Sequence, residues 1–230
     1  MTNKKVLIVG NKPYENFKFD DIIDSFDIIY RCNLAWPDNN NGTKFGRLAM
    51  CDHIYLNFVS KSLSKKEIFD LYGSGYDNAY LSDWYDWFQS NKPNFEEIFH
   101  MAYNTSQWNS ILSSYGCPHQ VTRIPRTGFS TIFKALSEST ESHSSSEVFV
   151  CCFSLSGDEF RKSFGLKDET AKAEGQGCHD KNNEVNILTW LHNNQKVDAS
   201  LCMLTDTEEP TLQTDNMQPS PFILDLINKK

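Results

Sequence analysis

The sequence predicts an α/β fold with a mostly parallel sheet flanked by helices, and three observations predict it. Short, continuously apolar runs such as Val6–Val9 and "EVFVCCF" (147–153) read as strands buried on both faces. Between them lie segments of helical spacing. The alternation of the two along the chain implies parallel strands joined by crossover helices.

The elements follow in order. Val6–Val9 is the first strand and ends in Gly10-Asn11. Phe26–Tyr30 is the second, running into Arg31-Cys32-Asn33. The stretch 36–46, "WPDNNNGTKFG", is rich in turn formers and reads as loop. His53–Asn57 reads as a third strand, again ending on asparagine. Ser64–Tyr72 has helical spacing, with Ile68, Leu71 and Tyr72 on one side. The aromatic-rich stretch 76–118 holds "DWYDWF" and "FEEIFHMAY", which suggest helices or a lid-like insertion. Thr127–Ser137 is a helix with Phe129, Ile132, Phe133 and Leu136 at 3/4 spacing, followed by a polar loop over 138–146. Glu184–Asn193 is a helix, "ASLCMLT" (199–205) a strand and "PFILDLI" (221–227) a closing helix. With no internal repeat and no long low-complexity linker, residues 1–230 are expected to form a single domain.

Composition bounds the function. Charged residues make up 23% and apolar ones 39%, as in ordinary globular proteins. The formal net charge of −8 opposes non-specific attraction to nucleic acid, so no nucleic-acid partner is expected. No stretch approaches the roughly 18–20 apolar residues of a bilayer span, so no transmembrane segment is expected. The start of the chain passes directly into a strand, leaving no room for a signal peptide. The seven cysteines show no C-x-x-C spacing. No metal site is expected from them, and a reducing, cytoplasmic setting is the simplest reading.

Ligands of parallel sheets bind beyond the carboxyl ends of the strands. Gly10, Asn11, Asn33 and Asn57 are expected there. An amide offers a donor and an acceptor, which suits a nucleobase edge or a sugar hydroxyl, and Gly10 permits a sharp turn or a close approach. The plainer alternative is that asparagine is common in turns. A dinucleotide fingerprint is excluded, because Gly10 is followed by none of the further glycines of G-x-G-x-x-G. In "RIPRTGF", Thr127 and Gly128 stand at a helix start that favours an anion, and Arg126 adds a fixed cation. A nucleotide phosphate or a substrate carboxylate would fit there, and so would a plain capped helix. In "GCHDKNNEVNILTWL", His179 precedes a helix. Its imidazole is suited to removing a proton from an attacking hydroxyl, with Asp180 or Glu184 to orient it. The alternative is a surface histidine before a helix whose dipole Glu184 complements. His192, further along the same helix, is expected to face solvent.

Taken in order, "VGN", "DIIYRCN", "PRTG" before a helix and an "EVFV" strand, and "HDKNNE" resemble the sialyltransferases. They are similar to sialyl motifs L, S and VS of the animal-type enzymes, and the "RCN" also occurs in bacterial CMP-sialic acid-dependent ones. The likeness runs over roughly residues 4–205. The resemblance implies a single Rossmann-like nucleotide-binding domain and an inverting, metal-independent glycosyltransferase without cofactor. The donor would be CMP-sialic acid or a related CMP-sugar, and the acceptor a glycan hydroxyl. It assigns Asn11, Asn33 and Asn57 to the donor, with Gly10, Arg126, Thr127 and Gly128 beside it. His179 becomes the general base and Glu184 the acidic residue of motif VS. The sequence departs from the family where tyrosines face the leaving phosphate: Phe149, Ser156 and Gln176 stand there. Arg126, Arg161 or Lys162 would have to supply that charge. The alternative function is a catalytically inactive nucleotide- or glycan-binding domain on the same scaffold.

Overall fold

Five parallel strands form one sheet in the order β4-β3-β2-β1-β5. They are β1 (Lys4–Val9), β2 (Ile28–Cys32), β3 (Arg47–Met50), β4 (Glu97–His100) and β5 (Ser146–Cys151). The computed structural model describes residues 3–10, 12, 16–33, 42–101, 104–141, 146–153, 179, 181–204 and 219–228. The helices among them are α1 (Asp20–Asp24), α2 (Asp52–Tyr55), α3 (Lys65–Tyr72), α4 (Asn78–Asn91), α5 (Thr105–Ser114), α6 (Thr127–Glu141), α7 (Lys181–Asn193) and α8 (Pro221–Asn228). The mixed α/β architecture, with a parallel sheet flanked by helices, is the fold class the sequence predicts.

The pleat explains why the central strand is apolar throughout. Side chains of β1 alternate between faces. Val6 and Ile8 join one cluster with Phe129, Ile132, Phe133 and Leu136 of α6 and with Ile187, Leu188 and Leu191 of α7. Leu7 and Val9 join a second cluster with Ile22 and Ile23 of α1 and Ile223 of α8. A third cluster, around Leu48 and Met50 of β3, takes in Phe58, Ile68, Trp84 and Phe88. Burial on both faces is what a parallel sheet requires.

Several elements differ from the sequence reading. His53–Asn57 is helical: α2 runs into a π-helical turn at Leu56–Ser60. Ile54 and Phe58, four residues apart, bury together while Leu56 lies exposed, which is helical rather than strand periodicity. The third strand lies upstream, where Arg47, Leu48 and Ala49 register with Tyr30, Arg31 and Cys32. Consequently Asn57 does not end a strand. Glu97–His100 is an edge strand, not a helix, with Phe99 packed into one cluster and Ile98 into another. The 199–205 segment forms a short 3₁₀ helix, Ser200–Met203, all four residues buried. Asp198, just before it, bridges to Phe149 of the sheet, and Cys202 Sγ donates to the Val150 carbonyl at 3.3 Å. The second strand is shifted to Ile28–Cys32, and α6 continues to Glu141, beyond the expected start of the loop at 138. Leu71 of α3 is exposed rather than on the buried side.

The aromatic segment 76–118 is woven into the molecule, because it carries β4 as well as α4 and α5. Trp84 and Trp108 are buried, and Tyr85 and Trp87 pack against the third cluster. Trp84 and Trp108 are core, and Tyr85 and Trp87 lie half-buried at its edge.

Candidate active site

The carboxyl ends of β1, β2, β3 and β5 converge on the start of α6, and Gly10, Asn33, Arg126, Thr127, Gly128, His179 and Glu184 are linked there by a short series of contacts, whereas Asn57 is not. Asn33 ends β2 in the left-handed region, φ 51°. Asparagine tolerates that conformation better than most residues. Its side-chain carbonyl accepts the Cys51 N–H at 2.8 Å, and its amide donates to Thr127 Oγ1 at 3.3 Å. Asn33 therefore ties the tips of β2 and β3 to the first residue of α6. Within "RCN", Arg31 is fully buried and grips the Lys44 carbonyl through Nε (3.0 Å) and Nη2 (2.8 Å). Cys32 is buried against Thr131. Of the three, Asn33 reaches the rim.

The two glycines serve packing. A Cβ on Gly10 would lie 2.3 Å from the Cys152 carbonyl oxygen and 2.5 Å from Phe153 Cδ2. A Cβ on Gly128 would lie 2.9 Å from Phe153 Cζ. The Phe153 ring thus fills the space that both glycines leave open. The Gly10 N–H donates to the Cys151 carbonyl at 2.8 Å, and the Lys12 N–H to that of Cys152 at 2.6 Å. The tip of β1 is tied to the tip of β5.

Glu184 and Arg126 form an ion pair at the start of α6. The Glu184 side chain is 2% exposed and that of Arg126 20%. One carboxylate oxygen accepts the Arg126 backbone N–H at 2.8 Å, and the other accepts from Arg126 Nε. The start of α6 therefore already holds an anion, supplied by the chain itself. Arg126, expected to be a ligand cation, has its charge offset by Glu184. Glu184, expected to orient His179, lies instead on Arg126.

His179 has a different orienter. Its Nδ1 lies 2.7 Å from the Ile124 carbonyl. A carbonyl only accepts, so Nδ1 is the donor of this contact, and in the neutral ring Nε2 is then the accepting nitrogen. Ile124 and Thr127 are three residues apart, at most about 11 Å of extended chain. The segment 124–127 thus connects His179, Glu184 and Asn33.

Asn57 lies in the π-helical turn and donates to the Tyr72 hydroxyl at 2.8 Å. His192 is not solvent-facing: its side chain is 8% exposed, and Nδ1 accepts the Ala199 N–H at 3.1 Å. Burial lowers its pKa, against the opposing pull of Asp198. Phe149 turns into the core, edge-on to Phe26. Asn11, Asp180, Ser156, Arg161, Lys162 and Gln176 lie outside the described residues.

Two rim groups escaped the sequence reading. Asp52 and His100, beyond β3 and at the end of β4, meet at 3.0 Å beside the Tyr55 ring. Lys12 lies three residues past the end of β1. The signal for all three was their position at, or just beyond, the carboxyl end of a strand.

No family model and no curated protein matches this sequence. Among solved structures, the chain is similar to the monofunctional alpha-2,3-sialyltransferase Cst-I from Campylobacter jejuni, at 13% identity and a TM-score of 0.45. The match covers 99% of this chain and 93% of that chain. The fold and the site geometry described above rest on this chain's own residues.

Proposed function

We propose that the protein is a sialyltransferase-like glycosyltransferase that uses a CMP-sugar donor and a glycan acceptor. The observation that carries the reading is the placement of His179, whose Nδ1 meets the Ile124 carbonyl so that Nε2 is the nitrogen turned to other partners, within a few residues of the Asn33–Thr127 contact. In this scheme the acceptor hydroxyl gives its proton to Nε2 as its oxygen attacks the anomeric carbon. The bond from that carbon to the phosphate oxygen breaks, and CMP leaves with the electron pair. A single displacement inverts the centre. Asn33 and Asn11 are the residues assigned to the nucleotide, by the motif resemblance. No metal and no cofactor enter the scheme.

A second reading has its own support. Phe153 fills the gap between Gly10 and Gly128, and Arg126 is neutralised by Glu184. Both features leave less for a departing phosphate than the motifs promise. They favour a nucleotide- or glycan-binding domain without turnover.

One experiment separates the readings. Thermal unfolding is followed with CMP, UMP, GMP and NADH and with a panel of glycans, because a ligand that binds only the folded state raises its stability, by about 2.7 kcal/mol at a hundred times Kd. CMP release from CMP-sialic acid is then measured with and without those glycans. The transferase reading expects stabilisation by CMP, release of CMP, and a loss of about 10²- to 10⁴-fold in rate for His179→Ala with CMP affinity retained. Stabilisation without any release selects the binding domain. No response to CMP overturns the transferase reading, and no stabilisation by any of the nucleotides or by the glycans overturns both.

A further inference from the structure

We infer that Arg126 is a positioning residue: its clamp on Glu184 holds the Ile124 carbonyl where it sets the tautomer of His179. The inference rests on the reading of His179 as the proton acceptor. It gives Arg126 a task other than binding a phosphate.

The argument begins with Ile124. Its side chain is 63% exposed and anchors nothing. The direction of its carbonyl must come from its neighbours: the buried Pro125 and the hydrogen bonds on either side. Upstream, the Asn109 amide accepts the Val121 N–H at 2.7 Å and donates to the Val121 carbonyl at 3.0 Å. Asn183 of α7 donates to the Gln120 carbonyl. Downstream, Glu184 of α7 takes both the N–H and the Nε of Arg126. The first turn of α7 therefore grips the 120–126 segment at both ends, and His179, just before that helix, takes the carbonyl between them. Base and orienter are carried by the same two segments, so fixing one against the other fixes the ring.

The consequence is chemical. The nitrogen of an imidazole that stays basic is the one whose partner nitrogen donates. Without the Ile124 carbonyl the ring would revert to the Nε2–H form that free imidazole side chains favour in water. Nε2 would then be a donor, unable to take a proton from a hydroxyl.

The test reads the tautomer directly, on the uniformly ¹⁵N-labelled full chain, by NMR of the imidazole nitrogens above pH 7. Wild type is expected to show His179 as the Nδ1–H form. His192 supplies an internal reference of the opposite form, because its Nδ1 accepts the Ala199 N–H. In Arg126→Ala, His179 is expected to move toward the Nε2–H form while His192 stays. Arg126→Lys, which restores a cation opposite Glu184, is expected to recover part of the original signal. If Arg126→Ala disturbs His192, Glu184→Gln decides instead, since it keeps an acceptor for the Arg126 N–H and loses the charge. His179 remaining Nδ1–H in these variants, with His192 unmoved, overturns the inference and leaves the transferase reading standing. A tautomer switch in a protein that neither binds CMP nor releases it from the donor supports the positioning role and removes the transferase.

Discussion

Gly10 and Gly128 meet the same phenyl ring from two sides, but they do not tolerate change alike. At Gly10 an added Cβ would run into the backbone oxygen of Cys152. That oxygen is fixed by its bond from the Lys12 N–H, and Cys152 itself is held at φ 56°. Gly10→Ala is expected to lower the unfolding free energy by about 1–3 kcal/mol, the range of overpacked cores. At Gly128 the clash is with the ring edge, and alanine gains about 1 kcal/mol of helix propensity. Gly128→Ala should therefore cost less than Gly10→Ala, and Phe153→Leu should relieve it; denaturant midpoints of the two single variants and the Gly128 double variant measure this. Gly10 could be read from sequence as a close approach, but the ring that both glycines approach comes from the tip of a distant strand and could not. His192 carries the clearest pH dependence. Burial holds its folded pKa below the ordinary 6.5, with Asp198 and a backbone bond at Val197 pulling the other way. Below about pH 6.5 the unfolded chain takes up a proton that the folded chain resists, so the unfolded state binds more protons and is favoured. Stability from this group is complete above that pH and declines as pH falls toward the folded value. His192→Asn keeps an acceptor for the Ala199 N–H and should flatten the urea midpoint between pH 7.5 and 5.5.

The starts of α3 and α5 are set by local capping boxes, and of these the sequence analysis placed only that of α3, at Ser64. Ser64 caps α3, its hydroxyl accepting the Glu67 N–H while Glu67 reaches back to the Ser64 N–H. Asn104 and Gln107 repeat the device at α5. Ser64→Ala leaves the Glu67 N–H unpaired and is expected to cost about 1 kcal/mol, read as a lower urea midpoint with an unchanged slope. Helices with long apolar periodicity, α6 above all, lie close to where their spacing places them. The short strands do not. β3 and β4 have four residues each, too few for a period to declare itself, and what makes them strands is pairing with Tyr30–Cys32 and with one another. The candidate site divides in the same way. Asn33, Thr127, Arg126, His179 and Glu184 each stand out by residue type and by place at an element's end. Their pairing does not: a carboxylate five residues after a histidine looks like its partner, yet α7 turns Glu184 onto Arg126 and leaves His179 to a backbone carbonyl. The Asp52–His100 pair was hidden for the same reason as β4, since one member ends a strand that the sequence did not declare.

The inner strands β1 and β2 deliver side chains to clusters on both faces of the sheet, so the two faces share their strands. The thiols sample both. Cys32 and Cys202 lie in the cluster on the α6 side, and Cys151 and Cys152 in the one on the α1 side. Burial pushes the Cys32 thiol up to about 12 and raises Cys151 and Cys202 well above the ordinary range. Only a thiolate attacks an alkylating reagent. A thiol with pKa about 12 is ionised to roughly one part in ten thousand at pH 8, even before access is considered. Cys51 is different: it is partly exposed at the tip of β3, with its sulfur 3.6 Å from His53 Nδ1. Iodoacetamide at pH 8 is therefore expected to modify Cys51 in the native protein within the time that leaves Cys32, Cys151 and Cys202 intact. Those three should then react at one common rate that rises with urea as global unfolding does, since opening either face breaks strands shared with the other. Peptide mass spectrometry of a labelling time course reads all four sites at once. Cys151 reacting well before Cys32 without denaturant would show that the α1 face opens by itself, and that the sheet does not couple its two sides.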